Sequence, residues 1–233
     1  MSPRPYGGVT ADRRRADRRA ALLEAALDLL ATQGVRGTSL RAVCARAGLN
    51  PRYFYESFSD LDSLLVEVHD GIVAEVADAA ARGAAAAGPD AGLRATVRAA
   101  AMAALEMGRA DPRKIRAILV EATASPVLRA RQQAARRDYT HLVIDYARAF
   151  HDIPPDAGAP VRFIATMLVA GWNENLIAWL DGELQTTLPG LADMFADAAE
   201  ALATHAAARP QGNAGPAGAG REKERPGKGT PGK

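Results

Sequence analysis

The chain has 233 residues, 48% of them hydrophobic, and a net charge of only +2, which allows one large or two modest domains, each with its own core. Its single cysteine, Cys44, excludes an internal disulfide, and no Cys/His spacing builds a zinc site, so a reducing compartment and no bound metal are expected. No uncharged run is long enough to cross a bilayer and the Arg-rich start lacks an apolar signal stretch, which predicts a cytoplasmic chain with no membrane partner.

The small net charge conceals a segregation. Residues 1–60 carry ten Arg against six acidic residues, residues 209–233 carry six basic against two acidic, and the stretch between is acidic. A basic end beside an acidic body fits a chain that meets a polyanion at one end. Residues 1–16 and 209–233 are poor in large apolar residues and rich in Gly, Pro and charge, which predicts disordered tails.

No alternating β-branched run of strand length occurs between these tails, whereas helix start and stop signals recur, so the fold class is all-α. A first helix over about 18–33 places Leu22, Ala25, Ala26, Leu29 and Leu30 on one face and stops at Gly34. Thr38 or Ser39 caps a short second helix with Leu40, Val43 and Ala47 inward, ended by Gly48. Asn50 caps a third, with Pro51 at its first position and Phe54 and Phe58 as apolar anchors. Three short helices thus close one small core. Two helices joined by a tight glycine turn match a helix-turn-helix, with Arg52, Tyr53, Glu56 and Ser57 on the exposed face and Tyr55 at its edge.

The stretch from Ala20 to Leu65, with its Leu/Ala stripe ending at Gly34, the Thr38–Ser39 start, Ala47–Gly48, and Tyr55 followed by Phe58 and Leu64, resembles the N-terminal domain of tetracycline-repressor-like (TetR) regulators. The resemblance implies that Thr38 and Ser39 donate to phosphate at the second helix N-terminus and that Tyr55 reaches another phosphate. Pro51, Arg52 and Tyr53 would face the base edges of double-stranded DNA, with Asn50 among the DNA-binding residues, since phosphate contacts position and base contacts specify. Such proteins commonly carry Lys at the position of Leu61, so one backbone contact is missing, and Arg13, Arg14, Arg15, Arg18 and Arg19 are candidates to replace it.

Ser59-Asp60-Leu61-Asp62 opens a fourth helix, expected to run to about Arg82 as a lever between reader and sensor. After a linker at residues 83–89, helices are predicted over 90–109, 112–123, 126–151, 159–181 and 189–208. Phe163 to Trp172 is apolar all round except Thr166 and is expected to be buried on two sides. The resemblance implies that the last two long helices pair with a second copy, giving Ile164, Leu168, Gly171 and Asn175 as homodimer-interface candidates. Met102, Leu105, Glu121, His141, Tyr146 and Asn173 are candidates to line a cavity for an unidentified, largely apolar small-molecule effector. His141 and Asp145 lie one turn apart but lack a third ligand, and Cys44 reads as a small buried residue.

No nucleophile–base pair, phosphate-binding glycine loop or cofactor motif occurs at workable spacing, so no catalytic residue and no cofactor is assigned. The expected organisation is an arm (1–16), a three-helix helix-turn-helix domain (17–60), a larger helical effector-binding and dimerisation domain (61–208) and a basic tail (209–233). The expected function is a sequence-specific repressor released from a palindromic operator by its ligand. The alternative is a DNA-bound structural or partner-recruiting protein without an effector.

Overall fold

The structure, a computed structural model, describes residues 11–153 and 158–208. The expected tail at 209–233, and residues 1–10 of the expected arm, lie outside them. The described residues form nine α-helices and one 3-10 turn: α1 (Ala11–Gly37), α2 (Leu40–Ala47), α3 (Pro51–Tyr55), α4 (Leu61–Ala86), α5 (Leu93–Ala110), α6 (Pro112–Leu119), the 3-10 turn Glu121–Ala124, α7 (Pro126–Phe150), α8 (Gly158–Leu180) and α9 (Leu188–Ala207).

Residues 11–16 are helical, where a disordered arm was expected. Ala and Arg are good helix formers, and Asp12 in the first turn complements the helix dipole. The regular helix breaks at Gly34, whose φ of 70° is left-handed, and a short turn continues to Gly37. Ser39 caps α2 by accepting from the Ala42 N–H at 3.2 Å, and Gly48 ends it at φ 66°. Asn50 caps α3 by accepting from the Arg52 N–H at 2.9 Å. At the start of α4, Asp60 and Ser63 form a reciprocal capping box, with the Ser63 N–H donating to Asp60 Oδ1 at 2.7 Å.

The residues that close the three-helix core, Leu22, Ala26, Leu30, Val43, Phe54 and Leu64 among them, are fully buried or nearly so. Burying Phe54 alone stabilises by about 1.5–3 kcal/mol. This core is not the separate small one expected from the sequence. It is one continuous cluster that runs through Leu65 and Ile72 of α4 to Leu105, Ile118, Leu119, Ala122 and Leu128.

The predicted linker at 83–89 begins too early, since α4 continues to Ala86. The alanine run favours helix, and Gly83 serves packing: a Cβ there would lie 2.4 Å from the Ala99 carbonyl oxygen of α5. The break falls instead at Gly88, with φ 92°. The predicted helix over 112–123 is also split. α6 ends at Leu119, where the buried Gln132 amide donates to the carbonyls of Ile118 and Leu119 at 2.9 and 3.3 Å.

Candidate nucleic-acid interface and effector cavity

The caps on α2 and α3 fix what the reader surface can present. Ser39 is exposed, and because its oxygen is the acceptor in the cap, its hydroxyl hydrogen is available to a phosphate. Thr38 is a correction to the sequence reading. It is only 4% exposed and its hydroxyl donates to the Gly34 carbonyl at 2.8 Å, so it braces the α1–α2 turn and has no donor to offer DNA.

Asn50, Pro51, Arg52, Tyr53 and Tyr55 are all exposed, with Tyr55 at 62% projecting furthest among the aromatic side chains here. Phe54 beneath them is fully buried, and the Tyr55 ring stands edge-on to it at 5.5 Å. Glu56 and Ser57, expected on the exposed face, are half-buried. For Glu56 the reason is Arg18, whose guanidinium donates to it at 3.1 Å and stacks 4.5 Å from the Tyr53 ring centroid. Glu56 also lies 3.7 Å from Arg52 Nε, so one carboxylate joins α1 to the reading helix. Arg19 is likewise engaged, with Glu67 and over the Phe58 ring at 5.1 Å. Neither Arg18 nor Arg19 is the free arm residue that the sequence suggested; Arg18 braces α3, and Arg19 ties α1 to α4 and Phe58. Leu61 opens α4 half-buried against the core.

A cavity of about 310 Å³ lies among α4 to α9. One stripe of α7 faces it, Gln132, Arg136, Tyr139, Val143 and Tyr146, opposite His69, Val73 and Val76 of α4. Leu105, Tyr146 and Asn173 line it as expected. Met102, Glu121 and His141 do not. Met102 packs half-buried against the core, His141 is exposed on the outer face of α7, and Glu121 turns away to the end of α1. The sequence reading missed His69, Gln132, Arg136, Tyr139, Trp172 and Trp179. A histidine inside the Leu65–His69–Ile72 apolar stripe was the one available signal. His69 is buried, and burial lowers its pKa below the ordinary value; the hydrogen bond and charge of Asp70, at 3.2 Å, oppose this and Arg131 adds to it.

The apolar run in α8 is not buried on both sides within one chain. Phe163 is 69% exposed and Met167 52%, and on α9 Met194 is exposed beside them. Ile164, expected at an interface, faces the cavity, and Leu168 is buried between the cavity and the groove of α8 and α9, so at this end of α8 the outward positions are Phe163 and Met167. Gly171 and Asn175 do lie on the outward side, where they border a groove between α8 and α9. A Cβ at Gly171 would meet nothing within 4 Å.

Residues 22–68 match the family model described as bacterial regulatory proteins, tetR family. No curated protein matches the chain. Solved structures share the fold across nearly their whole length. A TetR family transcription regulator from Marinobacter aquaeolei VT8 is 22% identical with a TM-score of 0.55, covering 80% of this chain and 97% of that one. A TetR-like transcriptional regulator from Rhodococcus sp. RHA1 is 20% identical with a TM-score of 0.62, covering 78% and 93%. The transcriptional regulator FadR from Bacillus subtilis, solved in complex with stearoyl-CoA, is 14% identical with a TM-score of 0.62, covering 77% and 96%. The reader helices thus match the tetR-family model over residues 22–68, and the helical body as a whole has the fold of solved TetR-family regulators.

Proposed function

We propose that the protein is a ligand-released repressor that binds a palindromic operator as a homodimer. The observation that carries this reading is a capped, exposed reading helix joined by one continuous apolar core to a large apolar cavity. In this mechanism Arg52 and Tyr53 meet base edges, Ser39 and Tyr55 meet phosphates, and the Arg18–Glu56 pair holds the reading helix at its angle.

The outward apolar faces of α8 and α9 pair with a second copy, which sets the spacing of the two reading helices. An effector in the cavity presses on α4, α6 and α7 and changes that spacing, and binding to two half-sites tolerates little mismatch. FadR, which shares the fold, was solved with stearoyl-CoA, consistent with an apolar effector here. No residue is assigned a catalytic role. A structural or partner-recruiting role would leave the cavity without a purpose.

The test is selection of bound sequences from random duplex DNA by the purified protein. Recovery of one palindrome with two half-sites is the expected result. Recovery of unrelated sequences would overturn the reading.

A further inference from the structure

The walls of the cavity are unbalanced in charge. Among the described residues that line it there are two arginines, Arg109 and Arg136, and no Asp or Glu. Both arginines are exposed as well as cavity-lining, so they stand where the cavity opens. Neither has a carboxylate partner among the described residues, whereas Arg131, on the same helix as Arg136, is paired with Asp70.

Arg136 is the better placed of the two. Its Nη2 donates to Gln132 Oε1 at 3.0 Å, and the Gln132 amide nitrogen is itself held by the Ile118 and Leu119 carbonyls. A buried neutral amide therefore fixes the guanidinium at the cavity wall without neutralising it. His69 on the facing wall is held toward its neutral form by burial, which leaves Arg136 as the fixed charge at this end. A guanidinium offers a planar fork of donors to an oxyanion, and it is repelled by a cation.

We infer that the cavity takes an amphiphile with a long apolar tail and a single anionic head, and that Arg136 binds the head. This rests on the reading of the cavity as the effector site. The tail lies among the aliphatic and alanine side chains of α5 and α8, which offer no charge.

The experiment uses the full chain and three probes of equal tail length: dodecanoate, dodecan-1-ol and dodecylamine, below micelle formation. Trp172 and Trp179, the two tryptophans of the chain, both line the cavity, so quenching of intrinsic fluorescence reads occupancy directly. Dodecanoate is expected to bind at least about tenfold more tightly than the alcohol, with the amine weakest. Arg136→Ala should remove that advantage while leaving alcohol affinity unchanged, Arg136→Lys should restore part of it, and Arg109→Ala should keep it.

Equal binding of acid and alcohol, preference for the amine, no binding of any probe, or an acid preference that survives Arg136→Ala would each overturn the assignment. Operator selection with the same preparation separates the two readings. Protein that selects a palindrome but fails these titrations loses only the ligand assignment, and protein that binds dodecanoate but selects no operator loses the regulator reading.

Discussion

Glu121 and Val35, far apart in sequence, meet at the junction of reader and sensor: the Val35 N–H donates to Glu121 Oε2 at 3.3 Å. Val35 follows Gly34, where α1 breaks, and precedes the Thr38–Ser39 start of α2. Glu121 stands two residues after Leu119, at the Ile118–Leu119 end of α6 that lines the cavity. A displacement of that wall reaches the helix-turn-helix through this hydrogen bond, beside the continuous core and the ion pair of Arg113 with Glu24 of α1.

Breaking this contact should therefore cost both stability and communication. Glu121→Ala leaves a half-buried N–H without its acceptor, and a loss of about 1–2 kcal/mol is expected in urea unfolding. Gly34→Ala should destabilise by a similar order, roughly 1–2 kcal/mol, because its φ is left-handed and its new Cβ would lie 2.8 Å from Glu121 Oε2. If Glu121 carries the signal, Glu121→Ala should also blunt release of operator by an effector. Unchanged stability and release would remove this role.

On the reader surface, Arg52→Ala and Tyr53→Ala are each expected to weaken operator binding by about 1–3 kcal/mol and to relax preference at one position per half-site. Thr38→Val should behave differently. It loses the bond to the Gly34 carbonyl, lowering the melting temperature, while operator affinity stays near that of the parent. A binding titration of the three variants on one selected operator distinguishes base readers from a brace. Strong loss of binding in a stably folded Thr38→Val protein would return Thr38 to the phosphate contacts.

The exposed faces of α8 and α9 predict the assembly. Met167→Arg and Gly171→Arg place a charge at an outward position without disturbing the cavity side of α8, so both should yield folded monomers that bind operator weakly. Ile164→Ala, by contrast, should leave the dimer intact, because Ile164 faces inward. Sedimentation of the variants checks both, and a dimer formed by Met167→Arg would place the interface elsewhere.

His69 predicts a pH dependence of stability. Its folded pKa is lowered, chiefly by burial, so below about pH 6.5 the unfolded chain takes up a proton that the folded chain resists. Stability from this group is present above its unfolded pKa and is lost as pH falls toward the folded value. His69→Gln should flatten the decline between neutral and mildly acidic pH in thermal melts; a decline of unchanged steepness would assign it to other groups.

The elements of the reader were legible in the sequence because their determinants are local. A Ser or Asn cap, a proline at the first helical position, a left-handed glycine and the spacing of Leu22, Val43 and Phe54 act within a few residues, and helix ends followed from them. The same locality named Arg52 and Tyr53 as exposed and put Tyr55 at the edge of that face.

What the sequence left undecided depends on neighbours that are distant along the chain. Thr38 is the exception, since the carbonyl that takes its hydroxyl belongs to Gly34, four residues before it. Glu121 reads as a pocket carboxylate until the end of α1 is seen beside it, and Arg18 as a free arm residue until Glu56 and Tyr53 are. Met102, His141 and Ile164 were misplaced for one reason. Periodicity reveals that a helix has an apolar face, but only the packing of the other helices decides whether that face meets core, cavity or a second chain.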